Sequence, residues 1–229
     1  MSALLTNLKL IAFDLDDTLY PEIAFVKSGF RAVAQAVEKR YSLSNSFYDV
    51  LWTVFMEGER NKTFDKALQR ASLAFNSQMI EDMVRIYRTH MPDITLYPDA
   101  QEVLEYLRGR KKLGLLTDGY LATQKNKVAA LHIGHYFDLI VFTDEAGRQA
   151  WKPSVWGYQK MMKHFNLPGA ECAYVGDNSL KDFAGAQSLA WVTFKIERNE
   201  GFYCRGAAGD EPTTDYTVHS LTELKKMFA

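Results

Sequence analysis

Short apolar runs alternating with stretches of helical periodicity constrain this chain more than any other feature. Leu113–Thr117, Leu139–Thr143, Cys172–Val175 and Trp191–Lys195 each read as a buried strand. Helical stretches fall between them, at about 99–110, 121–131 and 155–165, with a short one ending near Ser188. Asp99 with Glu102 three residues on predicts a cap for the first of these helices, and Pro153 precedes the third. Tyr216–Val218 reads as a last short strand, and Ser220 with Glu223 predicts a capping box for a terminal helix. Strands that return only after a helix pair in parallel, so the expected fold is α/β, a Rossmann-like parallel sheet covered on both faces. Leu8–Phe13 is a further strand of the same apolar kind, standing at the front of the chain.

Between that first strand and the rest lies a block of different character. From about residue 24 to 90 the apolar residues recur at helical spacing (Phe30, Val33, Ala34, Val37, then Val50, Val54, Phe55), and no strand interrupts them. This predicts an α/β core made of residues 1–20 and 93–229, carrying an inserted all-helical cap domain at 21–92. Phe47, Trp52, Phe55 and Phe64 are expected in the insertion's core, and Arg60 and Lys62 in a solvated loop.

Composition excludes several classes of function. A net charge of −1 without a long Lys/Arg run argues against a nucleic-acid tract or a polybasic membrane anchor. No apolar run approaches the ~18 residues of a membrane span. Met1–Leu10 lacks a basic leader and a cleavage site, so no signal peptide is expected. Cys172 and Cys204, without a CxxC, read as ordinary thiols of a reducing cytoplasm. His132 and His135 lack a third partner and do not predict zinc, the sequon at Asn61 is read as chance, and residues 198–215 look like an exposed loop.

In open parallel sheets ligands bind beyond the carboxyl ends of the strands. Past the first strand stands Asp14-Leu15-Asp16-Asp17-Thr18, and past the next Thr117-Asp118-Gly119. Trp151-Lys152-Pro153 follows the third, and Gly176-Asp177-Asn178 the fourth, with Asp182 five residues after Asp177. Carboxylates converging on one point repel each other and call for a cation, and all-oxygen ligation selects a hard one such as Mg²⁺. Lys152 and the Thr117 hydroxyl suit a phosphoryl group whose charge must be neutralised. A carboxylate beside the metal can attack phosphorus, and one two residues on can serve the leaving oxygen as acid and then water as base.

With these motifs in place the chain resembles the haloacid dehalogenase superfamily of phosphohydrolases, in the branch whose helical cap follows the first motif. DLDDT at 14–18 matches the DxDx[TV] pattern, Thr117 the second motif, Lys152 with Pro153 the third, and GDNSLKD at 176–182 the acidic fourth. The resemblance implies Asp14 as nucleophile and metal ligand, and Asp16 as general acid/base whose backbone carbonyl also reaches the metal. It implies Asp177 as the third ligand, Thr117 with the amides of Asp118 and Gly119 as phosphate cradle, and Lys152 as the cation holding nucleophile and phosphate. Asp182 is expected to support the site from behind, or to exchange roles with Asp177. Asp118, Asn178 and Trp151 depart from the commoner residues of the family. The implied cofactor is Mg²⁺ and the implied partner a small phosphorylated metabolite. Phosphoryl transfer between sugar hydroxyls, carbon–halogen hydrolysis and a non-catalytic binding role remain open. The acid position at Asp16 and the acidic fourth motif weigh against the halide reaction, and the intact nucleophile, acid and lysine against a binding role.

Overall fold

β1 (Leu10–Phe13) lies at the middle of a six-stranded sheet with order β3-β2-β1-β4-β5-β6, in which every neighbouring pair is parallel. The computed structural model describes residues 3–43, 46–198 and 213–228. Its other strands are β2 (Lys112–Thr117), β3 (Leu139–Phe142), β4 (Cys172–Gly176), β5 (Val192–Ile196) and β6 (Tyr216–Val218). The expected parallel α/β sheet is therefore present. Cys204 and most of the expected loop at 198–215 lie outside the described residues.

The chain divides into two compact units, one of residues 1–22 with 95–229, the other Ile23–Ile94. In the first, all four β1 residues are fully buried, because helices cover both faces of the sheet. Leu10 and Ala12, two apart and so on one face, join Leu116, Cys172 and Tyr174 in a core capped by α8 (Trp156–Phe165) and α9 (Phe183–Ser188). Tyr158 and Met161 of α8 and Phe183 and Ala186 of α9 fill it. Each large side chain so enclosed contributes about 1.5–3 kcal/mol. The remaining helices of this unit are α1 (Ala3–Thr6), α6 (Pro98–Leu107), α7 (Leu121–Ala130) and α10 (Leu221–Phe228).

Two helix starts differ from expectation. Asp99 does not cap α6: Tyr97 is the N-cap, and Pro98 takes the first helical position, where its missing N–H costs nothing. The Asp99 carboxylate, one residue inside, instead accepts from the Leu221 amide at 2.8 Å and from both Arg198 Nη atoms at 3.1 Å. It thereby satisfies an otherwise orphaned N–H at the start of α10. At α10 itself only half of the capping box forms. Ser220 Oγ accepts from the Glu223 amide, but the Glu223 carboxylate takes the His219 N–H.

The second unit is all-helical: α2 (Glu22–Tyr41, but for its first residue), α3 (Phe47–Met56), α4 (Thr63–Arg70) and α5 (Ser77–Thr89). Phe30 anchors it, with ring centroids 5.4 Å from Phe55, 6.3 Å from Phe64 and 5.9 Å from Tyr87. Phe47 and Phe55 are buried, Trp52 and Phe64 half-buried, and Arg60 and Lys62 exposed. Among the described residues, no helix is long and apolar enough to cross a membrane.

Candidate active site

The strand order reverses direction between β1 and β4, and the crevice beyond their carboxyl ends is where a doubly wound sheet binds ligands. Asp14 follows β1 and donates its amide to Val175 O at 2.8 Å, extending the ladder by one residue. Its carboxylate therefore emerges inside the crevice, 1% exposed. The chain then turns sharply at Asp17, which adopts the left-handed region (φ 51°) and accepts the Glu22 amide on Oδ1 at 2.8 Å.

Lys152 meets this carboxylate from the segment before α8. Its Nζ donates to Asp14 Oδ1 at 2.6 Å and to Tyr174 OH at 2.8 Å, and makes a close ion pair with Asp182 Oδ1 at 2.7 Å. Burial works against the ammonium, but the charges of Asp14 and Asp182 prevail and hold it well above the usual lysine range. The backbone behind this lysine is fixed by Asp118, whose two oxygens accept the Lys152 amide at 3.2 and 3.1 Å. Thr143 Oγ1 donates to the same carboxylate at 2.8 Å. The Asp118 side chain is thus occupied in holding Lys152. Gly119, with φ 118°, sits in a region that side chains rarely adopt.

Asp14, Asp177 and Asp182 form one acidic cluster, each offering an oxygen within 4.8 Å of the others. Asp14 Oδ2 is buried without a hydrogen-bond partner. Burial, helped by Asp182, pushes Asp14 up to about 6 despite the pull of Lys152. Burial and the charges of Asp182 and Asp14 raise Asp177 well above the carboxylate range. An orphaned buried oxygen and three mutually repelling carboxylates fit a hard divalent cation. Asp182 occupies the N-cap position of α9 but makes no side-chain cap bond there; its Oδ2 accepts the Asn178 amide at 3.0 Å. Gly176 permits this approach, since a Cβ there would lie 2.5 Å from Asp182 Oδ2.

Asp16 stands apart from that cluster. Tyr20 OH and Lys127 Nζ (2.6 Å) both donate to its Oδ1, and Gln124 Nε2 donates to Oδ2 at 3.0 Å. Burial alone would raise Asp16, but the Lys127 charge and these hydrogen bonds bring it below the usual range. Gln124 Nε2 also lies 2.7 Å from Thr117 Oγ1 and against the Asp118 carbonyl. Beside Asp16 opens a cavity of about 240 Å³ lined by Asp16, Glu22, Asp177, Asn178 and Lys181. Burial, with the neighbouring Asp16, pushes Glu22 up to about 8.

The sequence pointed to Asp14, Asp16, Thr117, Asp118, Gly119, Lys152, Asp177 and Asp182, all of which lie at this sheet edge, but not to Tyr20, Glu22, Gln124, Lys127 and Lys181. One signal was available for two of them. Residues 121–130 carry only two large apolar side chains, Leu121 and Val128, and the residues the helix buries are Thr123, Gln124 and Lys127, the last two one turn apart. A larger cavity, about 600 Å³, lies at the opposite, amino-end edge of the sheet among Lys9, Arg108, Arg110, Lys111 and Lys112. Most of those cations are already engaged: Lys9 with Glu171, Lys112 with Asp138, Lys111 with Leu8 O and Arg110 with Tyr106 O.

A family model described as haloacid dehalogenase-like hydrolase matches residues 8–189. The glyceraldehyde 3-phosphate phosphatases of Methanocaldococcus jannaschii and Methanopyrus kandleri are 30% and 28% identical over 225 residues, covering 95% of each chain. Among solved structures, the HAD hydrolase YfnB from Bacillus subtilis bound to magnesium superposes with a TM-score of 0.68 at 17% identity, covering 96% of this chain and 98% of that one. At that identity the likeness speaks to the fold.

Proposed function

The chain belongs to the haloacid dehalogenase-like hydrolases and is a phosphoric monoester hydrolase of that family, and on this premise we propose that it hydrolyses a small phosphorylated metabolite through an aspartyl-phosphate on Asp14. One observation carries the reading above the rest: the Asp14 carboxylate is pinned on one oxygen by Lys152 and keeps the other free of protein partners, within an acidic cluster. A carboxylate so oriented has a nucleophilic oxygen to offer and a cation beside it to neutralise incoming phosphate.

Asp14 and Asp177 by their carboxylates, and Asp16 by its backbone carbonyl, would hold Mg²⁺. When bound, the ion neutralises the charge of the acids and of the phosphoryl oxygens. In the first step, which Asp16 enters protonated, Asp14 attacks phosphorus, the bond from phosphorus to the leaving oxygen breaks, and that oxygen takes the Asp16 proton. In the second, Asp16 accepts a proton from water as the water oxygen attacks phosphorus, releasing inorganic phosphate and restoring Asp14. Thr117, with the amides of Asp118 and Gly119, cradles the phosphate, and Lys152 balances its charge throughout. Asp182 supports both by its ion pair to Lys152. We assign the helical unit of residues 23–94 the role of a cap that excludes bulk water and selects the leaving group. A cytoplasmic setting belongs to the same reading, since Cys172 is a buried, unbridged thiol.

The relatives make glyceraldehyde 3-phosphate the first substrate to try, within a panel of sugar, nucleotide and amino-acid phosphates. Steady phosphate release with Mg²⁺, abolished by chelator and lowered by on the order of 10⁴-fold or more in Asp14→Asn, is the expected result. Turnover that survives either the chelator or the substitution contradicts the proposal. Accumulation of a sugar bisphosphate in place of free phosphate would indicate a mutase.

A further inference from the structure

The Asp16 carboxylate is held more completely than a surface acid needs, and by residues that none of the four motifs contains. Lys127 Nζ is 2.6 Å from Oδ1, with its side chain only 5% exposed. Tyr20 OH donates to the same oxygen and Gln124 to the other. Both Lys127 and Gln124 come from α7, one turn apart, so a single rigid element grips the end of β1.

The hydrogen count on Gln124 extends the grip to the end of β2. Its Nε2 has two hydrogens and three oxygens around it: Asp16 Oδ2, the Asp118 carbonyl and Thr117 Oγ1. When Asp16 is ionised, the form that takes a proton from water, its carboxylate and the Asp118 carbonyl carry no hydrogen and face both of these. A flipped amide would set its oxygen against two acceptors. Thr117 Oγ1, 2.7 Å from Nε2, faces a donor, so the Thr117 hydroxyl hydrogen does not point at Gln124.

We propose that Lys127, with Gln124, is a positioning residue for the proton transfer: it locks Asp16 in the one orientation that faces the leaving oxygen and the attacking water, and itself touches neither. This rests on the assignment of Asp16 as the proton carrier. A carboxylate free to swing by an ångström loses on the order of 10²-fold in such a transfer, whereas a salt bridge kept only for stability has no such selectivity.

The test is a comparison of wild type, Lys127→Met, Lys127→Arg, Asp16→Asn and the Lys127→Met/Asp16→Asn double variant on alkyl phosphates and on p-nitrophenyl phosphate, with thermal melts alongside. Lys127→Met should lower kcat on alkyl phosphates by about 10- to 100-fold with KM little changed, and far less on the aryl ester, whose good leaving group needs little protonation. Lys127→Arg should recover much of the loss. In the Asp16→Asn background, Lys127→Met should cost nothing further. Equal losses on both ester classes, or additive losses in the double variant, overturn the inference. If Lys127→Met does not fold, Lys127→Gln carries the same comparison. An Asp16→Asn enzyme that loses rate equally on both classes removes the proton carrier itself and the inference with it. A selective Asp16→Asn beside a non-selective Lys127→Met removes the inference alone.

Discussion

Glu22 illustrates how far a single carboxyl can be shifted by its surroundings. Half-buried beside Asp16 and Asp17, it is pushed from its ordinary 4.5 to about 8, with burial the main cause. The folded chain therefore keeps a proton that the unfolded chain releases above about pH 4.5, so this residue draws stability down as pH rises from there to about 8. Glu22→Gln should melt with the parent near pH 4 and increasingly above it between pH 4.5 and 8, measured without added divalent ions. A constant Tm difference across that window would show that Glu22 does not titrate there. The motif acids and Lys152 were legible in the sequence because they stand in the segments that leave the carboxyl ends of the strands, Asp14 directly after β1 and Lys152 farther on, between β3 and α8. Tyr20 and Glu22 were not, because they stand close in sequence to Asp16 and Asp17 but belong to no motif, and what sets them apart is their burial at the site. Lys127 lies 111 residues from Asp16, and no local pattern encodes that pairing.

Among the elements, the strands were the most readable, because their apolar runs are continuous where both faces of a sheet are covered. Helix starts were less so. Asp99 and Glu102 have the spacing of a capping box, but Pro98 is better suited to the first helical position and moves Asp99 one residue inward. The carboxylate then serves α10 and Arg198 instead. The turn from β4 to α9 is where an element bears most directly on the site, because Gly176 lets the Asp182 carboxylate come up against the strand end. Gly176→Ala would place a methyl 2.5 Å from Asp182 Oδ2 and force that side chain away from Lys152 and the Asn178 amide. It should lower stability by about 1–3 kcal/mol and reduce kcat as Lys152 loses one of its two acidic partners. A variant with native Tm and native turnover would show that the strand end can shift at no cost.

Over the whole molecule, the connectivity of β1 has a consequence for how the chain is made. Leu10 pairs with Lys112 on one side and with Cys172 on the other, while residues 23–94 close among themselves as a separate unit. The earliest strand to leave the ribosome must wait roughly a hundred residues for its first neighbour, so its pairing is entropically late. The helices in between need no such delay. Pulse-labelling hydrogen exchange during refolding should show amides of α2 to α5 protected before those of β1, and simultaneous protection would contradict this order. Since Asp14 is carried on that strand, the nucleophile would be set in place among the last groups to order, and a partly folded or nascent chain would hold its helices well before it could turn over a substrate.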